Sequence, residues 1–106
     1  GNYLARYDLA SGNLAARARI GQKINYIRYL PDHERVAVAS AFDQTVYLVN
    51  PDDLAVQEEI RLDGVPQGMA VEEDRLYIAE ESGDTVAVYD LAARQMLKRV
   101  RVGMNP

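Results

Sequence analysis

The chain has no cysteine and no tryptophan, and only one histidine and one phenylalanine. Without cysteine, these 106 residues hold no disulfide, thiolate metal site, covalently attached haem or cysteine nucleophile, and they suit either redox compartment. No apolar run approaches the roughly 18 residues of a membrane span, so none is expected. Gly1 to Asp8 lack the basic flank and apolar stretch of a secretory signal, and an export signal, if used, is expected upstream or already removed. Positive charge is scarce too. Twelve Lys and Arg against sixteen Asp and Glu leave a net charge of −4, which argues against nucleic acid as a partner, because phosphate-backbone binding needs a concentrated basic field. What is present, 48 % hydrophobic and 26 % charged residues, is the composition of a globular domain of ordinary length.

The dominant feature is internal repetition. Leu14 to Ile20, Val56 to Leu62 and Met96 to Val102 align with Arg19, Arg61 and Arg101 in register, at offsets of 42 and then 40. The same offsets relate Tyr7-Asp8-Leu9, Val49-Asn50-Pro51 and Tyr89-Asp90-Leu91. The change of two residues lies in one turn: Leu30 to Glu34 in the middle copy against Glu72 to Asp74 in the last. A turn absorbs such a change where a packed strand does not.

Each unit reads as four short strands. In the last they are Gln67 to Val71, Arg75 to Ala79, Thr85 to Tyr89 and Met96 to Val102; in the middle, Tyr26 to Tyr29, Arg35 to Ala39, Thr45 to Val49 and Val56 to Leu62. Before these stand only a third strand, Asn2 to Tyr7, and a fourth, Leu14 to Ile20. Inner strands such as Val36 to Ala39 are apolar on both faces, whereas fourth strands alternate, as at a wet rim. That alternation directs Ile20, Ile60, Leu62, Val100 and Val102 inward and leaves Arg19, Arg61 and Arg101 in solvent.

Four-stranded antiparallel sheets recurring every ~40 to 45 residues are β-propeller blades. The expected fold is therefore all-β: a partial β-propeller of about two and a half blades in one segment, with a half blade over 1–23 and blades over 24–64 and 65–106. A β-sandwich would lack the fixed period, and the helix-friendly Leu91 to Leu97 coincides with a hairpin turn in the other copies. Rings close with ~4 to 8 blades. The chain opens on a half blade and stops at Asn105-Pro106, in phase with Val65-Pro66. It is expected to be a piece of a longer propeller or a member of an assembly, its partners being the remaining blades or other protein subunits.

Arg75-Leu-Tyr-Ile-Ala79, Thr85-Val-Ala-Val-Tyr-Asp90 and Val102-Gly-Met-Asn-Pro106 resemble the YVTN-repeat β-propeller family, strongly over 65–106, moderately over 1–23 and loosely over 24–64, where Val36 to Ala39 lacks the aromatic and Asn50-Pro51 replaces Asp-Leu. The resemblance implies an extracytoplasmic, periplasmic or cell-surface, setting. It also implies several occupations: surface proteins, binding propellers, lactonase-like enzymes and propellers that cradle haem d1 or quinone chemistry. Fold does not choose among them. With no nucleophile, base and orienter set in view, the leading expectation is a non-enzymatic binding or structural scaffold. The alternative is a fragment of a lactonase-like hydrolase or cofactor-bearing dehydrogenase or reductase whose site the rest of the ring completes.

Individual residues offer little chemistry of their own. His33, between Asp32 and Glu34, reads as a solvated turn residue, and Asp8, Asn50 and Asp90 read as turn formers bonding the following backbone. The acidic loop from Glu80 to Asp84 has oxygen ligands at loose spacing but no EF-hand pattern, and reads as solvated. No catalytic, metal or cofactor residue is assigned, and no resident cofactor is expected. Binding, if present, is expected at the mouth, where loops between blades and between second and third strands converge. The candidates there are Gln22, Lys23, Asn25, Phe42, Asp43, Gln67, Glu80, Glu81 and Asp84; the ligand is not specified. Phe42, an aromatic in a polar loop, is either a binding anchor or packing against a neighbouring blade.

Overall fold

Apolar runs cut by Asx, Gly and Pro turns build ten strands in the computed structural model, which describes residues 2–81 and 84–102. Strands β1 (Tyr3–Tyr7) and β2 (Leu14–Arg19) form a two-stranded sheet. Strands β3 (Ile24–Leu30), β4 (Arg35–Ser40), β5 (Thr45–Val49) and β6 (Val56–Arg61) form the middle sheet in chain order. Strands β7 (Pro66–Glu72), β8 (Arg75–Glu80), β9 (Thr85–Asp90) and β10 (Gln95–Arg101) form the last. All pairings are antiparallel. Among the described residues the only helix is a single 3₁₀ turn at Pro31–His33, and none is long and apolar enough to cross a membrane. The architecture is all-β, a partial propeller of two four-stranded sheets and one two-stranded sheet.

The repeat extends to the irregularities. One residue is bulged out where the fourth strand leaves the third: Ala15, Gln57 and Leu97, related by offsets of 42 and 40. A second bulge, at Asn25 and Gln67, opens the innermost strand of each complete sheet. The three-to-four turns share a left-handed residue at Gly12, Leu54 and Arg94. Their first residue accepts the turn amides as expected: Asp8 from Ala10 (2.8 Å), Asn50 from Asp52 (2.7 Å) and Asp90 from Ala92 and Ala93 (both 2.9 Å).

Stacking of these sheets makes the core. One face of the middle sheet (Ala37, Ala39, Val46, Leu48, Ile60, Leu62) packs on one face of the last (Met69, Leu76, Ile78, Ala87, Tyr89), with Leu91 alongside. The other face of the middle sheet (Val38, Val49) and Leu54 pack on Leu4 and Ile20 of the first. Ile20, Ile60 and Leu62 lie inward and Arg19, Arg61 and Arg101 are exposed, as the alternation requires. Val100 and Val102 depart from it, being 42 % and 38 % exposed. Their register is that of Ile60 and Leu62, but among the described residues no sheet covers their face.

Candidate functional site

Loops between sheets and loops from second to third strands emerge on one side of the stack, as antiparallel order dictates. There the two complete blades tie the incoming loop to the end of their second strand by different means. In the middle blade Ser40, fully buried, accepts the amides of Gln22 (2.9 Å) and Lys23 (3.2 Å) and donates to Asp43, which also accepts from the Tyr47 hydroxyl. Burial presses the Asp43 carboxyl upward, but the Ser40 and Tyr47 hydroxyls outweigh it and hold the group below its ordinary value. Burial and the Asp43 carboxylate together push Tyr47 up to about 12.

In the last blade Glu80 takes Ser40's place. Its side chain is fully buried, and it accepts the Asp63 amide (2.7 Å), the Thr85 hydroxyl (2.9 Å) and Arg99 Nε (3.0 Å). Burial again acts upward and is overcome by the Asp63 amide, Thr85 and Arg99, so the carboxyl stays below its ordinary value. Arg99 also meets Asp63 at 3.1 Å.

The nine candidates fall into two groups. Asn25 donates to the Pro66 carbonyl across the seam (2.8 Å), and Asp43 and Glu80 serve the loop anchors just described. Gln22, Lys23, Phe42, Gln67, Glu81 and Asp84 present themselves to solvent. Phe42 is 75 % exposed and does not pack on the neighbouring blade; Lys23 Nζ lies 5.7 Å from its ring centroid. Ser82 and Gly83, within the acidic loop, lie outside the described residues. Among those described, no three His, Asp or Glu side chains gather to hold a metal.

The opposite side holds a larger groove, about 580 Å³, lined by Arg6, His33, Arg35, Asn50, Asp52 and Arg94 among others. Its arginines are engaged within the fold. Arg6 donates to the Asp52 carbonyl (3.0 Å), Arg35 and Arg94 both meet Glu58, and the Tyr89 hydroxyl donates to Glu58 from the next sheet (2.5 Å). His33 is not the solvated residue expected of a turn. Its side chain is only 15 % exposed, and Nε2 meets Asp74 across the seam at 2.9 Å. That partner stands in the shortened turn, 41 residues on, where local sequence could not announce it.

Sequence reasoning also missed Ser40, Tyr47, Asp63, Thr85 and Arg99 as anchors. The available signal was Glu80 itself, a carboxylate following the hydrophobic run Leu76 to Ala79 in register with Ser40.

No family model matches the chain, and no curated protein matches it. Solved structures do. The dihydro-heme d1 dehydrogenase NirN in complex with DHE superposes with a TM-score of 0.83 at 17 % identity, over 96 % of this chain and 22 % of that one. AztD from Citrobacter koseri gives 0.83 at 13 %, over 99 % and 31 %. Kluyveromyces lactis Hsv2 gives 0.69 at 10 %, over 96 % and 32 %. These are β-propeller proteins, and at such identities the likeness is of fold. The chain spans between about a fifth and a third of these three.

Proposed function

We propose that the chain is a segment of a larger YVTN-type propeller that serves as an extracytoplasmic binding or structural scaffold, with ligand or partner contacts at the mouth through Gln22, Lys23, Phe42, Gln67, Glu81 and Asp84. The observation that carries this reading is the condition of the mouth-side carboxylates. Asp43 and Glu80, buried carboxylates on the mouth side, are held ionised by donors of the blades and of the loop between them, the opposite of the raised value that proton transfer near neutrality needs. Phe42 and Lys23, by contrast, stand out from the fold as an exposed aromatic–cation pair, a combination suited to recognition. The setting and the blade family rest on the motif resemblance.

The rival reading, a fragment of a propeller enzyme, draws on the likeness to NirN, a dehydrogenase by its name. One experiment separates them: incubate the complete propeller that contains this chain with a δ-lactone and, separately, with haem. The scaffold reading expects lactone hydrolysis at the buffer rate and no stoichiometric tetrapyrrole uptake. Hydrolysis abolished by Glu80→Gln, or one haem bound per chain, overturns it.

A further inference from the structure

The uncovered face of the last sheet repeats, position for position, a face that is covered elsewhere in the same molecule. An offset of 40 sets Tyr77, Val86, Val88, Val100 and Val102 on Ala37, Val46, Leu48, Ile60 and Leu62. The earlier set is sealed beneath the last sheet. The later set lines a groove of about 290 Å³ that continues toward the mouth into one of about 230 Å³, floored by Ala79, Val86 and Val102.

At the edge of this face the polar residues change in charge, while the positions within it stay hydrophobic: valine is kept at 46 and 86, three larger aliphatics become Val88, Val100 and Val102, and Ala37 becomes Tyr77. In the covered seam Arg35 pairs with Glu58, and the covering sheet contributes Tyr89, whose hydroxyl donates to that carboxylate. At the same two positions the uncovered face carries Arg75 and Lys98, both of which border the groove. Two cations stand where a pair stood before; Arg75 has Glu72, Asp74 and Asp90 on its other side, whereas Lys98 forms no ion pair among the described residues. A phenol arriving there would not supply the counter-charge that Glu58 supplies in the covered seam, and burying Lys98 without one is costly.

We infer that this face seats a further four-stranded sheet, and that the sheet carries a carboxylate at the position Tyr89 occupies in the existing seam, facing Lys98 and Arg75. The inference rests on the propeller-segment reading and adds the chemistry of the missing neighbour. A second copy of this chain does not meet the requirement. Its first sheet has only two strands, and Tyr7, 82 positions before Tyr89 in the repeat, would present a hydroxyl to Lys98.

The test uses the cysteine-free chain with Val100→Cys as a single thiol and measures its rate of alkylation. A copy of residues 67–106 is appended after Pro106, in phase with Pro66, bearing in the copy either the native tyrosine, Tyr89→Glu or Tyr89→Lys. The expected result is slower labelling on appending the copy, slowest with Tyr89→Glu. The glutamate version should outrun the lysine version in protection by about fivefold or more, the scale of one partly screened ion pair. Lys98→Glu in the parent portion should reverse the order in favour of tyrosine. A thiol at Phe42, remote from the face, is the control whose rate must stay constant; a copy that unfolds the chain changes both rates. Unchanged labelling with every folded copy shows that the face seats no sheet, and equal slowing by all three shows that charge does not select it. Slowing that appears without a copy and grows with protein concentration means that a second chain is the occupant. Each of these overturns the inference while leaving the lactone and haem results to judge the scaffold reading.

Discussion

Glu80 ties the loop between the two complete blades to the last sheet, and its removal should be felt globally. The carboxylate is fully buried and gathers three donors, one from the inter-blade loop, one from β9 and one from β10. Hydrogen bonds to an ionised group are worth about 1.5–3 kcal/mol each, with neighbours not simply additive. Deleting one member of a buried ionic cluster typically costs about 3–5 kcal/mol. Glu80→Ala is therefore expected to cost about 3–5 kcal/mol in urea-induced unfolding, a large part of the ~5–15 kcal/mol a domain has. Glu80→Gln, which keeps an acceptor for the Asp63 amide but loses the charge facing Arg99, should cost less. The pH dependence has a definite sign. The folded carboxyl ionises below the ordinary 4.5, so its stabilisation is complete above that value and is lost as the pH falls through the folded one. Wild-type stability should decline below about pH 4.5 more steeply than that of Glu80→Gln; Asp43 leaves a residual slope in both. A cost under about 1 kcal/mol for Glu80→Ala, or parallel acid profiles for wild type and Glu80→Gln, would refute the reasoning.

Two substitutions probe the neighbouring contacts by the same unfolding assay. Gly21→Ala places a Cβ 2.4 Å from Ser40 Oγ at a φ of +65° and should cost more than about 2 kcal/mol. Gly12→Ala, at φ +76° with nothing within 4 Å, should show only the left-handed penalty of about 1–2 kcal/mol, and equal costs at the two sites would contradict the close approach. Tyr89→Phe removes the donor to Glu58 across the seam and should cost about 1.5 kcal/mol; a change within 0.5 kcal/mol would show that Arg35 and Arg94 satisfy that carboxylate alone.

The fold was legible because a blade is written twice over in this chain, once in the alternation within each strand and once in the period between them. Val56, Ile60 and Leu62 announce a rim strand, and Arg19, Arg61 and Arg101 fix its register from copy to copy. The bulges at Asn25 and Gln67, and at Ala15, Gln57 and Leu97, were not legible, because a bulge is a mismatch between two strands and leaves no pattern in either. Exposure of Val100 and Val102 was illegible for a different reason. Side-chain alternation says which face a residue occupies, and only the neighbouring sheet decides whether that face is dry. The mouth was placed by topology, yet its chemistry was not: Asp43 and Glu80 look like loop acids in sequence, and their donors at Tyr47, Asp63, Thr85 and Arg99 are gathered by pairing across strands.

The two anchors explain why adjacent blades of one repeat can differ so much in sequence. Ser40 is short, so its loop comes close, which demands Gly21 beside it, and Asp43 accepts the hydrogen bond that the Ser40 hydroxyl donates. Glu80 is long, so the loop stands further off. The Gly21 position becomes Asp63, the Tyr47 position Ala87, and the Glu59 position Arg99, which supplies the counter-charge. Two of these changes are tied to their partners, since Glu80 facing a glutamate at position 99 would bury unpaired charge, and an aspartate at 21 would clash with Ser40, whose Oγ lies 2.4 Å from where even a Cβ would stand. The outer seam follows the same logic with Glu58 and Lys98. On the inference drawn above, apolar faces alone distinguish poorly between neighbouring sheets, and charges that change together would give each seam its preference.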